Sequence, residues 1–122
     1  MASIKPNITV EYTDNATVVT LLPEKILEER DIQQLQESIM SVIEQNEGLN
    51  LVLDFGKVRF LSSAVLGFLI RVSKKVYERD GKLGLCCIDA KIYEVFKITR
   101  LTKVFDIYDD VEVAVEGLTV EG

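Results

Sequence analysis

Two hydrophobic periods alternate along the 122-residue chain. In Asn7–Thr13 (NITVEYT) and Ala16–Leu22 (ATVVTLL), β-branched residues dominate, as in strands that sit on a pleated surface. The intervening Asp14-Asn15 predicts a tight hairpin turn, because both side chains tolerate the left-handed backbone such a turn demands. Pro23-Glu24-Lys25 breaks the second strand, and Ile26-Leu27 is a candidate for a further short one. The period then changes. Ile32, Leu35, Ile39, Val42 and Ile43 recur at helical spacing, with Asp31 as the expected N-cap, an end near Asn46 and Gly48 as the stop.

Leu49–Phe55 is nearly continuous in apolar character, which fits a strand covered on both faces. After a polar turn, Ser62-Ser63 opens a helix carrying Leu66, Leu69, Ile70, Ser73, Val76 and Tyr77 at helical spacing. That helix is expected to stop at Asp80-Gly81. Lys82–Ile88 predicts another buried strand. Asp89 then caps a helix with Ile92, Val95, Phe96 and Thr99 on one face. Val104–Tyr108 predicts a last strand, Asp109-Asp110 starts a terminal helix through Val111, Ala114 and Val115, and Thr119–Gly122 is expected to fray. Strand–helix alternation of this kind predicts an α/β fold, a central mostly parallel β-sheet flanked by about four α-helices. Without a repeat, linker or low-complexity tract, residues 1–122 are expected to form one domain.

Composition narrows the function. With 48% hydrophobic and 28% charged residues the chain is a folded globule, and its net charge of −6 disfavours nonspecific attraction to nucleic acid or an anionic membrane. The two cysteines, Cys86-Cys87, are adjacent in KLGLCCI. Strand neighbours point to opposite faces, so both are expected to be reduced core residues of a cytoplasmic protein. With no histidine and no second cysteine cluster, no metal site or other cofactor is expected. The opening MASIKPNITV lacks the apolar core of a signal peptide, and no segment reaches the roughly 20 apolar residues that span a bilayer. A cytoplasmic location follows as the expectation.

The stretch Leu51–Leu69 (LVLDFGKVRFLSSAVLGFL) concentrates the candidate chemistry. Two hydroxyls at a helix N-terminus face unpaired N–H groups and the positive end of the helix dipole. Three readings are open: a plain N-cap worth roughly 1 kcal/mol, a phosphate-binding place, or a serine that a kinase modifies. Hydrolase chemistry is not supported. There is no histidine, Ser-Lys catalysis would need Lys57 or another lysine beside Ser63, and FLSSAV lacks the glycines of a nucleophile elbow. Gly56 alone makes no phosphate-binding glycine loop. Gly67, inside the helix, suggests close packing against the sheet. Asp54 at the strand end suits an acceptor for N–H groups of the next turn. Arg71, Lys74, Lys75, Arg79 and Lys82 form a basic cluster, explained either as a solvated helix face or as a docking surface for an acidic partner.

Across Asp54–Leu69 the chain resembles the STAS family, named for sulfate transporters and anti-sigma factor antagonists. The family run is strand, Asp, hydrophobic turn, then Asp-Ser-Ser-Gly-Leu-Gly opening a helix. Asp54, Val58, Phe60, Leu61, Ser63, Leu66, Gly67 and Leu69 match it in order. Gly81–Ile88 with Ile92–Asp106 (IYEVFKITRLTKVFD) is similar to the family's ending, so the resemblance covers about residues 8–116. Two positions depart. Ser62 stands where the family has Asp, and Ala64-Val65 stands where it has Ser-Gly, which removes a carboxylate beside the hydroxyl. The resemblance implies a single STAS-like domain that binds proteins and catalyses nothing. Its partner would be an anti-sigma factor with serine-kinase activity. Ser63 would be the phosphorylated residue, with Ser62 as fallback acceptor and Asp54, Arg59, Ser62 and Ala64 as partner-binding neighbours. The alternatives are a scaffold in a signalling assembly with no phosphoswitch, or a sensor of a small ligand such as a nucleotide or lipid. The resemblance leaves the oligomeric state open.

Overall fold

The computed structural model describes residues 7–119. β1 (Ile8–Tyr12) and β2 (Thr17–Leu21) pair as an antiparallel hairpin, and β2, β4 (Asn50–Asp54), β6 (Lys82–Cys86) and β7 (Asp106–Tyr108) continue in parallel. The sheet order is β1-β2-β4-β6-β7. β3 (Lys25–Ile26) and β5 (Phe60–Leu61) form a separate parallel pair. The described residues hold four α-helices: α1 (Glu29–Glu44), α2 (Ser63–Glu78), α3 (Ala90–Ile98) and α4 (Val111–Thr119). None is long and apolar enough to cross a membrane.

Alternate residues of the inner strands enter two different cores. Leu51 and Leu53 of β4 join Leu83 and Leu85 of β6 under α1, α2 and α3, where Leu35, Ile39, Phe68, Leu69, Val72 and Phe96 complete the cluster. Val52 and Cys86 face the other way, against Ala114 and Leu118 of α4. Apolar side chains on both faces explain why β4 reads as an unbroken hydrophobic run. The sheet is therefore mostly parallel with helices on both faces, as the strand–helix alternation predicts.

Several local expectations change. The hairpin turn uses no left-handed residue at Asp14 or Asn15. Instead the Thr13 hydroxyl accepts the amides of Asn15 and Ala16 at 3.3 and 2.9 Å and donates to the Ala16 carbonyl at 2.8 Å, closing a wider loop. Helix α1 begins two residues before Asp31, with Glu28 at the cap position. Asp31 sits in the first turn, where its charge favours the helix dipole without capping. Asp89 does cap α3, accepting the Lys91 amide at 3.0 Å, and Asp110 accepts the Val113 amide at 2.9 Å as α4 begins. On α2, Ile70 and Tyr77 are 44% and 50% exposed, and Phe68 and Val72 hold the core instead. On α3, Ile92 and Phe96 are buried, while Val95 and Thr99 are exposed. The last strand is shortened by a 3-10 turn at Leu101–Lys103. Thr119 ends α4, and residues 120–122 of the expected frayed end lie outside the described residues, as do residues 1–6.

Candidate functional site

The turn after β4 is held from two sides. Asp54 accepts the Gly56 amide on Oδ1 at 2.8 Å, and the Phe55 amide donates to the Cys86 carbonyl at 3.0 Å. Phe55 and Val58 are fully buried and anchor the turn to the core. From outside, Arg59 Nη1 donates to the carbonyls of Gly56 at 2.8 Å and Val58 at 3.3 Å. The chain then runs beside β3: the amides of Arg59 and Phe60 donate to the Glu24 carbonyl, and that of Ser62 to Ile26 at 3.0 Å. This small sheet delivers the serine pair to the start of α2.

Ser62 is the N-cap residue of α2 and Ser63 its first helical residue, exposed to solvent. The cap forms differently from the expectation for a serine. The Ser62 carbonyl accepts the Val65 amide at 3.0 Å, but its side chain makes no cap hydrogen bond. Among the described residues the Ser62 hydroxyl is buried and without a partner. A buried unpaired hydroxyl costs stability rather than adding it. Ser62→Ala is therefore expected to leave stability unchanged or raise it by up to about 1 kcal/mol, measured by urea denaturation. A loss of about 1 kcal/mol would instead mean that the hydroxyl caps the helix in solution.

Ser62 and Ala64 border a groove of about 600 Å³ between α1 and α2, with Leu27, Ile32, Gln36 and Arg71 in its walls. Arg71 Nη2 donates to Gln36 Oε1 at 3.0 Å across it. Gly67 does not pack against the sheet. A Cβ built there meets only Arg71 Nη1, at 3.7 Å, so its lack of a side chain leaves α2 smooth near Ser63. The expected basic cluster is dispersed. Arg79 donates to the Glu44 and Asn46 carbonyls at the end of α1, and Lys82 Nζ to the Leu118 carbonyl, so these two tie elements together.

The cysteines depart most from their expected placement. Cys86 is buried on β6, but Cys87 lies beyond the strand with φ +60°. The two thiols therefore do not face opposite sides. With the Asp54 carboxylate they form a group whose ligand atoms lie within 4.8 Å of one another, which an expectation of no metal-ligating cluster did not foresee. Both cysteines are free. Burial pushes the Cys86 thiol well above its ordinary range, aided by Cys87 and by the charges of Asp54 and Asp110. Burial also raises Cys87, with Asp54 adding to it.

The structure puts Asp54 and Arg59 on the turn after β4, and Ser62, Ser63 and Ala64 at the helix start that follows. Ser62 and Ala64 lie on the α1–α2 groove, and Asp54 on a separate groove beside α4. Two features escape the sequence pattern: the β3–β5 pair that aligns Ser62, and the exposed apolar edge of Leu27 and Phe60 beside it, 50% and 51% exposed. The signal for the first is Ile26-Leu27 after Pro23-Glu24-Lys25, which predicts a short strand but not its partner. For the second, Lys25 Nζ lies 5.6 Å from the Phe60 ring, a cation–π pair across a strand pairing that the sequence does not show.

Comparison with known proteins agrees with this architecture. BtrV of Bordetella bronchiseptica, provisionally named an anti-sigma factor antagonist, is 25% identical over 107 residues, covering 88% of this chain and 90% of that protein. An anti-sigma-factor antagonist (STAS) domain protein from Planctomyces limnophilus has a similar fold, with a TM-score of 0.83, 20% identity and coverage of 93% and 98% of the two chains. The Bacillus cell fate determinant SpoIIAA in its phosphorylated form is similar at a TM-score of 0.68 and 18% identity, covering 90% and 97%. Both structural similarities are of fold. The STAS domain profile matches residues 7–114 of this sequence, and the chain belongs to the STAS domain family.

Proposed function

We propose that this chain is a cytoplasmic protein-binding regulator of the anti-sigma factor antagonist kind, working as one domain and catalysing no reaction. Its partner is an anti-sigma factor that is also a serine kinase, and Ser63 is the residue that kinase modifies. The observation that carries this reading is the placement of Ser63, exposed at the first position of a sixteen-residue helix behind a turn held by Asp54 and Arg59. A kinase reaches such a hydroxyl, and the helix N-terminus tolerates the charge it adds. The unmodified chain occupies the anti-sigma factor through Asp54, Arg59, Ser62 and Ala64 around the switch, and so frees a sigma factor. Phosphate on Ser63 puts a dianion into that interface and ends the complex. The names of curated relatives and the existence of a fold neighbour in phosphorylated form support this reading.

The test is to mix the purified chain with a serine-kinase anti-sigma factor from the same genome, with and without ATP. Binding is followed by calorimetry, and phosphate by peptide mapping. A stable complex without ATP, and a single phosphate on Ser63 with it, is the expected result. Binding without phosphate on Ser63 or Ser62 would select the scaffold reading, which the serine at position 62, in place of the family acid, favours.

A further inference from the structure

The carboxyl edge of the sheet holds a second group of reactive side chains, of which the serine site uses only Asp54. Asp54 and Cys86 are register partners on β4 and β6, so their side chains leave the same face side by side. Cys87 follows with φ +60°, a left-handed conformation that a cysteine adopts at a cost of roughly 1–2 kcal/mol. That conformation folds the Cys87 side chain back toward Cys86 rather than across the sheet. One carboxylate oxygen and both Sγ atoms consequently lie within 4.8 Å of one another, and neither thiol is in a disulfide.

We propose that Asp54, Cys86 and Cys87 form a binding site for a thiophilic d¹⁰ divalent cation, zinc or its heavier congener cadmium. Zinc–sulfur bonds of about 2.3 Å in tetrahedral geometry place two sulfurs about 3.8 Å apart, inside the observed envelope. Two sulfurs select such a cation over magnesium or calcium, which take oxygen donors. Asp54 keeps one oxygen on the Gly56 amide, and a carboxylate has lone pairs enough to serve a cation as well. Asp110, whose Oδ1 holds the Val113 amide, adds negative charge felt by both thiols. Access is open. Asp54 forms part of the wall of a groove of about 560 Å³ lined also by Val18, Thr20, Val111 and Val115, and Cys87 is only partly buried. On binding, each thiol becomes a thiolate and its proton passes to solvent, two protons for one cation, with the fourth coordination position left to water.

The reduced, demetallated full-length chain is titrated with cadmium, and the ultraviolet sulfur-to-cadmium charge-transfer band is followed. One equivalent should saturate the band, and zinc should compete it away. Cys87→Ser, at a partly exposed position, should lose about half the band and weaken binding at least about tenfold. Cys86→Ala should do the same, with its fold checked by circular dichroism. Asp54→Asn keeps an acceptor for the Gly56 amide. It should retain the band while weakening affinity by about tenfold. A folded wild-type chain without the band, an undiminished band in Cys87→Ser, or unchanged affinity in Asp54→Asn would each overturn the three-donor site.

Discussion

Phosphorylation of Ser63 is expected to weaken the complex with the kinase partner on the order of a hundredfold, equivalent to about 3 kcal/mol. The added group carries about −1.5 to −2 charge and three acceptor oxygens, and burying it without a paired cation costs several kcal/mol. Ser63→Ala should bind as tightly as the wild type, because an exposed hydroxyl replaced by hydrogen changes little surface, but it should take up no phosphate. Ser63→Asp should weaken binding roughly tenfold, less than phosphate does, because a carboxylate carries one charge and fewer oxygens. Ser62→Asp restores the acid that the family has beside this serine and is expected to raise the phosphorylation rate. Isothermal calorimetry gives the affinities and intact-mass kinetics the rates. Equal affinity of the phosphorylated and unmodified chains would remove the switch from the reading, and phosphate retained in Ser63→Ala would move it to Ser62.

The same few residues show why some of this site is legible in the sequence and some is not. The start of α2 at Ser63 is local. A polar turn, two hydroxyls and an apolar period of helical spacing all lie within one window. The Asp54 contact with the Gly56 amide, the Asp89 cap and the end of α2 near Asp80 are local in the same sense. Ser62 is harder. The identity of a cap residue is visible, but whether its hydroxyl reaches an amide depends on the strand that delivers it, and β3, thirty-five positions earlier along the ladder, sets that path. Gly67 predicts close packing against the sheet, yet a Cβ there would meet only Arg71. A helix period identifies the core face only when neighbouring elements are known. Cys87 is the clearest case. Alternation predicts opposite faces for adjacent strand residues, and a single left-handed residue at the strand end cancels that prediction.

That contrast has an energetic side. Residue type alone predicts the Asp14-Asn15 turn and the Asp31 cap, and at both places a different interaction does the work. Thr13 closes the hairpin, and the acids of the first turn of α1 serve the dipole from Glu29 and Asp31. Each substitute is worth on the order of 1 kcal/mol, comparable to the expected device, so the overall fold is indifferent to which is used. The pattern of apolar burial is worth far more, about 1.5–3 kcal/mol for each buried Leu, Ile, Val or Phe. Elements resting on that pattern are recovered, whereas single caps are recovered at Asp89 and not at Asp31.

Gly81→Ala is expected to destabilise the chain by about 2–4 kcal/mol. A Cβ at this position lies 2.5 Å from the Leu49 carbonyl oxygen, 3.1 Å from the Leu49 amide nitrogen and 3.0 Å from Val76 Cγ1. The Leu49 atoms are backbone and cannot rotate aside. The same carbonyl accepts the Lys82 amide at 2.9 Å, and the Gly81 amide donates to Val76 at 2.9 Å. Relief of the clash therefore has to open the start of the β4–β6 ladder or the last turn of α2. Gly67→Ala is the matched comparison. It adds the same methyl to a helix interior where only the end of Arg71 is near, and it should stabilise by about 0.5–1 kcal/mol. Urea midpoints at unchanged m-value give both effects. If both substitutions shift the midpoint in the same direction, backbone contact at Gly81 is not what limits that position. The consequence for the site follows from the register. β4 and β6 begin beside Leu49 and Gly81 and end at Asp54 and Cys86, so a ladder opened at its start loosens the strand ends that hold the Ser63 turn.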